Sequence, residues 1–207
     1  MSDLAGVVAG DDGLARCPWG DAPSVYRRYH DEEWGRPVHG RNPLYERLCL
    51  EAFQAGLSWI TVLRKREAFR SAFAGFDPEL VAAFDDDDVQ RLLADVAIVR
   101  NRAKILAVVS NARAVLEIDD LDGLLWSFAP PATRTRPRCV AEVPADTPQS
   151  VAMAKALKTR GLRFVGPTTA YALMQATGMV DDHLTECWRA AQGALGAGVP
   201  PRLPTVA

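Results

Sequence analysis

Apolar side chains recur every three or four residues along most of this 207-residue chain, the spacing that places them on one face of an α-helix. Residues 102–116 give a long example, with Ile105, Val108, Val109 and Ala112 on one side. Runs of β-branched residues bounded by turns, which are typical of strands, are almost absent. The sequence therefore predicts an all-α protein.

Short polar residues and prolines mark where several helices should begin. We predict a helix from Ser58 to about Phe73, with Ser58 as its N-cap. The pattern Asp77-Pro78-Glu79 predicts the start of another helix. The acidic run Asp85–Asp88 favours a helix start stabilised by caps and by the helix dipole, with a recognition patch as the alternative. A further helix should span Thr147 to Thr159.

Length and composition set the domain organisation. A length of 207 residues predicts one domain, which can have two lobes. The composition, with 48% hydrophobic and 24% charged residues, excludes disorder for most of the chain. We assign 1–15 to a loose leader, 16–192 to the folded domain and 193–207 to a Gly/Pro-rich tail. Apolar runs fall short of the ~20 residues that span a bilayer, and no signal peptide is evident. We expect a monomer in the cytoplasm, without membrane contact.

The charge balance limits how the protein could bind nucleic acid. Twenty-four basic and 26 acidic residues give a net charge of −2, so DNA binding would need a local basic patch. The cysteines have two interpretations in a reducing cytosol, as core residues or as metal ligands. They are Cys17, Cys49, Cys139 and Cys187.

Two cysteines and two histidines have spacings that suit a metal site. Twelve residues separate Cys17 from His30, and three separate His183 from Cys187. On a helix the second pair would share a face and could chelate one ion. Two thiolates and two imidazoles form a closed tetrahedral shell of the structural zinc type. Such a zinc would tie the N-terminal segment to a C-terminal helix; the alternative is two buried thiols and two ordinary polar histidines.

One carboxyl group falls on an apolar helix face. Glu51 follows Leu44 by seven residues and Leu48 by three, so it shares their side of a helix. Burial of an unpaired carboxylate is costly, and acids of this kind cluster in functional sites. The alternative is an edge position, with Glu51 in solvent or paired with an arginine.

Aromatic residues crowd the sequence around this acid. They could be core residues, or they could form a pocket for a flat ring whose edge the acid reads, as for a flipped nucleobase. The pocket candidates are Trp19, Tyr26, Tyr29, Trp34 and Trp59.

Residues 157–176 have the pattern of a helix-hairpin-helix element. One helix should end near Arg160 with Gly161 as its C-cap, and Pro167 should lie in the first turn of the next. The N–H groups at that second helix start suit a DNA phosphate. Four basic residues provide the local patch that the net charge requires, although a generic turn between two helices remains the alternative. They are Lys155, Lys158, Arg160 and Arg163.

Taken together, these residues resemble the DNA-3-methyladenine glycosylase I (TAG) family of the helix-hairpin-helix superfamily. The likeness runs from about residue 16 to residue 188. The matching stretches are Arg16–Trp19, Tyr29–Gly35, Leu50–Leu63, Ile98–Ile105, Trp126–Phe128, Lys158–Gly166, and Asp182–His183 with Cys187.

The resemblance implies roles for particular residues. It implies that Cys17, His30, His183 and Cys187 bind a structural Zn²⁺ and that Glu51 hydrogen-bonds the lesion base. Trp59 and Tyr29 would hold the base, with Trp19, Tyr26 and Trp34 lining the same pocket. The DNA-binding residues would be Lys158, Arg163, Phe164, Val165, Gly166 and Thr168.

The resemblance also implies a reaction. The enzyme would hydrolyse the N-glycosidic bond of 3-methyladenine in double-stranded DNA, without lyase action because no lysine is placed as a nucleophile. The alternatives are a zinc-stabilised DNA-binding module without catalysis and a glycosylase for another alkylated purine.

Overall fold

A computed structural model of the chain describes residues 6–131 and 135–192. Helices make up most of this part of the chain, which confirms the prediction of a helical protein. None of its helices is both long and apolar enough to cross a membrane. The α-helices are α1 Ser24–Glu32, α2 Arg41–Gln54, α3 Trp59–Arg64, α4 Arg66–Ala72, α5 Pro78–Ala82, α6 Asp86–Ala94, α7 Arg102–Leu116, α8 Leu121–Trp126, α9 Pro148–Thr159, α10 Pro167–Ala176 and α11 Trp188–Gln192. Short 3-10 helices cover Pro18–Gly20, Ala74–Phe76 and Val140–Glu142, and the strands are β1 Val8–Ala9 and β2 Ala15–Arg16.

The chain forms two compact units, each built from separate stretches of sequence. The first unit contains the residues up to Glu32, then Thr135–Val143, and those from Asp181 onward. The second contains Glu33–Arg134 and Pro144–Val180. The units are thus interleaved along the sequence. The assignment of residues 16–192 to one domain stays a prediction.

In the first unit, the segment expected to be a loose leader is folded from residue 6 onward. β1 pairs antiparallel with β2, with Val8 opposite Arg16. The Arg16 guanidinium is buried and donates hydrogen bonds to the carboxylates of Asp12 and Asp31. These bonds fix the hairpin, and composition alone does not predict them, because they depend on a specific pairing of Arg16 with Asp12 and with the more distant Asp31. Residues 1–5 and the predicted tail 193–207 lie outside the described residues.

The second unit has a core that α2, α7 and α10 share. Phe53 and Phe69 pack with ring centroids 4.4 Å apart, and Phe73 and Phe76 stack at 5.7 Å. Tyr45 lies on α2, and its hydroxyl donates to the carbonyl of Val108 on α7 at 2.8 Å. This core holds the helix that carries Glu51.

Most predicted helix starts are confirmed by side-chain caps. Asp77 accepts from the N–H of Glu79, and Asp85 accepts from the N–H groups at the start of α6. Thr147 accepts from Ser150 N–H in a reciprocal capping box. The acidic run at Asp85–Asp88 therefore caps a helix, as the first of its two interpretations held.

The single helix predicted from Ser58 to Phe73 is wrong. The chain breaks at Lys65 into α3 and α4, and Ser58 precedes α3 without a side-chain cap hydrogen bond. Lys65 Nζ donates to the carbonyls of Val96 and Ala97. The adjacent Arg66 instead binds Glu33, so the break lets two neighbouring cations reach different partners.

The turn between α9 and α10 is fixed by a side chain of α7. Asn111 is fully buried; its Nδ2 donates to the carbonyl of Arg163 at 3.1 Å, and its Oδ1 accepts from the Arg163 N–H at 2.7 Å. Leu162 and Val165 are buried beside it. Gly161 has φ +85°, a left-handed conformation that favours glycine, and Pro167 begins α10 as predicted.

Replacing Asn111 should loosen this turn. Asn111→Ala removes both hydrogen bonds and should lower the free energy of unfolding by about 2 kcal/mol. Ser110→Ala is the matched control, because Ser110 bonds only within its own helix and should cost no more than about 0.5 kcal/mol. Urea denaturation measures both, and equal losses in the two variants would contradict the assignment.

Candidate functional site

The two cysteines and two histidines of the predicted metal site meet within the first unit. Cys17 follows β2 and His30 lies in α1. His183 and Cys187 precede α11 in non-helical backbone, so the expectation that they share a helix face is wrong. A turn brings them together instead, where the Cys187 N–H donates to the Leu184 carbonyl. All four side chains are buried.

The spacing of these four side chains suits tetrahedral coordination of one metal ion. Their ligand atoms all lie within 4.8 Å of one another. Cys187 Sγ is 3.5 Å from His30 Nε2 and 3.6 Å from His183 Nδ1, and Cys17 Sγ is 3.9 Å from His183 Nδ1. In a tetrahedron with metal–sulfur bonds of about 2.3 Å and metal–nitrogen bonds of about 2.0 Å, sulfur and nitrogen lie about 3.5 Å apart. The residues therefore fit a zinc-sized ion.

Asp31 organises the surroundings of this cluster. Its Oδ1 is 2.8 Å from His30 Nδ1, which leaves His30 Nε2 facing Cys187. Arg16 and the indole N–H of Trp188 also donate to Asp31. Burial opposes ionisation of Asp31, but hydrogen bonds from Arg16 and His30 outweigh it and lower the pKa of Asp31. A carboxylate behind a ligating histidine is the usual way of orienting such a ligand.

The thiols also differ from ordinary cysteines. The Leu184 N–H donates to Cys17 Sγ at 3.4 Å. Hydrogen bonding from Cys17 lowers the pKa of the Cys187 thiol, and the same contact raises the pKa of Cys17. The cluster thus favours a thiolate, the form of cysteine that binds metals.

Glu51 lies in the second unit among the buried residues of α2, which agrees with burial rather than with the alternative of an edge position in solvent. It is 5% exposed, beside Leu44 and Leu48 on the core face of the helix. Its Oε2 has no hydrogen-bond partner within the part of the chain that the structure describes. Burial raises the pKa of Glu51 to about 8, and the positive charge of Arg47 opposes that rise. A buried polar atom left unpaired by the protein is a candidate for pairing with a ligand.

The five predicted pocket aromatics are divided between the two units. Trp19 contacts Tyr26 edge-on with ring centroids 5.9 Å apart, and it lies 6.3 Å from Tyr29. These three belong to the first unit, whereas Trp34 and Trp59 belong to the second unit with Glu51. Trp59 begins α3, one short loop after α2. The assignment of all five to one pocket stays a prediction.

The predicted DNA-binding turn presents most of its candidate residues to solvent. Lys158, Arg163 and Thr168 are exposed, and Phe164 is 38% exposed with φ +57°. Val165 differs, because the whole residue is buried. Gly166 caps α10, whose first turn contains Pro167 and Thr168.

Sequence reasoning missed an ion-pair cluster close to Glu51. The Glu33 carboxylate accepts from Arg47 at 2.9 Å and from Arg66 at 2.5 Å and 2.8 Å. Burial opposes ionisation of Glu33, but the two arginines outweigh it and lower the pKa of Glu33 to about 2. The position of Arg47, four residues before Glu51, was the available signal.

Known proteins resemble this chain over most of its length. A family model described as methyladenine glycosylase matches residues 19–190. DNA-3-methyladenine glycosylase 1 of Escherichia coli (strain K12) is 45% identical over 179 residues, which are 84% of this chain and 96% of the relative.

Solved structures agree with the sequence comparison. A crystal structure of 3-methyladenine DNA glycosylase I (TAG) superposes with a TM-score of 0.81 at 47% identity, covering 84% of this chain and 98% of the other. A TAG variant in complex with 3-methyladenine gives a TM-score of 0.79 at 33% identity, covering 83% and 95%. The likeness therefore extends to both sequence and fold.

The raised pKa of Glu51 predicts a pH-dependent stability. The folded protein holds this proton up to about pH 8, whereas an unfolded glutamate releases it near 4.5, so stability falls as pH rises through that interval. Glu51→Gln should equal the wild type at pH 4.5 and exceed it by about 3 to 5 kcal/mol at pH 9.

Urea denaturation across this pH range measures the difference. Glu117→Gln makes the same substitution at an exposed position and should give a difference independent of pH. A constant difference between Glu51→Gln and the wild type would contradict the assignment.

Proposed function

This chain belongs to the methyladenine glycosylase family, and we propose that Glu51 reads the base which it removes from DNA. The protein is an N-glycosylase that excises 3-methyladenine from alkylated DNA. The observation that carries the role of Glu51 is its buried carboxyl group with an unpaired oxygen. The Glu51 carboxyl group thus lacks a hydrogen-bond donor, and a positively charged ligand with an N–H group would be a suitable one.

The substrate has the matching chemistry. Methylation at N3 leaves adenine positively charged in DNA, while its exocyclic amino group donates hydrogen bonds. An ionised Glu51 accepts from that amino group and favours the cation in a site with little water. The charge makes the base a good leaving group, so strong acid catalysis is unnecessary.

The reaction exchanges one bond at the sugar. The C1′–N9 bond breaks, its electron pair passes to the base, and 3-methyladenine leaves uncharged. Water adds its oxygen to C1′ and gives its proton to solvent, which leaves an abasic site. Glu51 holds the base, and Trp34 and Trp59 of the same unit enclose it after it has left the stack. The roles of Tyr29, Trp19 and Tyr26 stay a prediction from the sequence.

The lysines favour hydrolysis without lyase action. Lys65 and Lys104 donate to main-chain carbonyls, and Lys155 and Lys158 are exposed on α9. These four are all the lysines in the sequence. We therefore assign no Schiff-base nucleophile to this enzyme.

The turn between α9 and α10 is the proposed helix-hairpin-helix contact with double-stranded DNA. Arg163 and Lys158 supply charge, Phe164 lies exposed, and the first turn of α10 offers N–H groups to a phosphate. Asn111 holds the backbone of this turn in place. The proposal includes a monomeric enzyme acting in the cytoplasm.

The Cys/His cluster is the proposed site of a structural Zn²⁺. Cys17, His30, His183 and Cys187 would hold the ion, and two thiolates would balance its charge. The ion would supply stability by crosslinking three separated stretches of the first unit. It takes no part in the reaction, because four protein ligands leave no open position.

Base release from methylated DNA tests the proposed activity and the role of Glu51 together. Chromatography of the released bases should detect 3-methyladenine from the wild type. Glu51→Gln should reduce kcat/KM by at least about 100-fold, since it removes the charge that the cation pairs with. Glu117→Gln should retain full activity.

Each other outcome excludes part of the proposal. Unchanged release by Glu51→Gln would remove Glu51 from the mechanism. Release of 7-methylguanine in place of 3-methyladenine would identify a glycosylase for another purine. No release from a folded, zinc-loaded protein would favour the DNA-binding module.

The pH dependence gives an independent check. The free enzyme should show a kcat/KM that falls tenfold per pH unit below about 8, because the ionised fraction of Glu51 falls by that factor. A profile flat from pH 6 to pH 9 would contradict a requirement for ionised Glu51.

Metal content tests the cluster. Elemental analysis should find one zinc per chain in the wild type, a loss of zinc in Cys187→Ala, and full retention in Cys139→Ala. Cys139 is the matched control because it is a cysteine outside the cluster. Equal zinc content in all three proteins would contradict the assigned ligands.

A further inference from the structure

One terminal nitrogen of Arg47, in the second unit, is buried without a hydrogen-bond partner among the described residues. One of its terminal nitrogens donates to Glu33 Oε2 at 2.9 Å. The other, Nη1, is buried and has no hydrogen-bond partner among the described residues. A buried N–H of a guanidinium without a partner is costly, so its retention calls for a compensating role.

Arg47 lies one helical turn before Glu51. Residues four apart on a helix share a face, so both side chains lie on the same side of α2. Each carries one buried polar atom without a partner, Nη1 on Arg47 and Oε2 on Glu51. The two residues do not form a direct ion pair, and their interaction is through space.

The ion-pair cluster around Glu33 carries a net positive charge. The carboxylate of Glu33 carries one negative charge, while Arg47 and Arg66 carry two positive charges. Together the three have a net charge of +1, which an ionised Glu51 brings to zero. A protonated Glu51 leaves the positive charge unbalanced.

The other charged side chains on elements packed against α2 are engaged elsewhere or exposed. Lys104 on α7 donates to the carbonyls of Phe53 and Ala55, and Arg113 donates to those of Ala82 and Phe84. Asp122 on α8 pairs with His39. Arg64 on α3 and Arg102 on α7 are exposed, and the titratable side chain of α10 is the buried Tyr171. The positive charge that acts on Glu51 is that of Arg47, which lowers the pKa of Glu51.

We propose that Arg47 is a positioning residue whose charge increases the ionised fraction of Glu51. Glu33 accepts a hydrogen bond from the Arg47 guanidinium and so holds it in place. The positive charge of Arg47 opposes protonation of the buried Glu51 carboxyl group. More of the free enzyme then carries the carboxylate, and binding of the cationic base completes its ionisation. This inference rests on the proposed function, because it concerns the acid that reads the base.

The pH profile of base release tests the proposal in the full-length, zinc-loaded protein. Arg47→Met keeps the apolar stem and removes the charge, so the acidic limb of kcat/KM should move up by about one pH unit. Activity should then fall about tenfold at pH 7 and recover toward the wild-type value at pH 9.5. Arg47→Lys should keep the limb near its wild-type position.

A second variant predicts the opposite sign and guards against misfolding of the first. Glu33→Gln removes the charge that offsets the two arginines, so the acidic limb should move to lower pH. Arg70→Met is the matched control, since Arg70 also ties α4 to α2, through Glu46. It should leave the limb in place.

The outcomes separate this inference from the proposed function. A wild type that releases no 3-methyladenine at any pH would overturn the proposed function. A wild type that is active, with superimposable limbs in Arg47→Met and Glu33→Gln, would overturn the inference alone. A loss of activity by the same factor at every pH would give Arg47 a merely structural role and would also overturn it.

Discussion

The burial of one carboxyl group on the core face of α2 constrains much of the second unit. Glu51 lies among leucines that exclude water, and its Oε2 has no partner among the described residues. Such a group destabilises the fold when it is ionised, which is why the pKa of Glu51 is raised to about 8. A cationic base bound beside Glu51 can offset the free-energy cost of its ionisation. Arg47 and Glu33 set the charge around Glu51.

The first unit depends on a different set of polar contacts. Arg16, His30 and Trp188 converge on Asp31, which orients one member of the Cys/His cluster. The cluster joins stretches of chain that are far apart in sequence. A zinc ion bound there would add to the small apolar cluster that includes Leu184 and Ala190. Stability in this unit would then depend on metal, whereas the second unit depends on aromatic and aliphatic packing.

Local sequence patterns predicted the features that arise from local forces. The span of α7, the caps at Asp77 and Thr147 and the burial of Glu51 follow from periodicity and from short-range hydrogen bonds. Features that depend on distant partners were missed or misplaced. The break at Lys65 depends on carbonyls some thirty residues away. The folding of the segment before residue 16 depends on Asp31, and the convergence of His183 and Cys187 depends on a turn rather than a helix.

The claim that buried Glu51 becomes ionised when it binds a cationic base is tested most directly by the proton release that accompanies binding. Calorimetric titration with a permanently cationic purine, methylated at N3 and N9, is run at pH 7 in two buffers of different ionisation enthalpy. A Glu51 that titrates near pH 8 is mostly protonated before binding and ionised after it, so binding should release close to one proton. Glu51→Gln should bind more weakly and release none. Tight binding by the wild type without proton release would contradict the account.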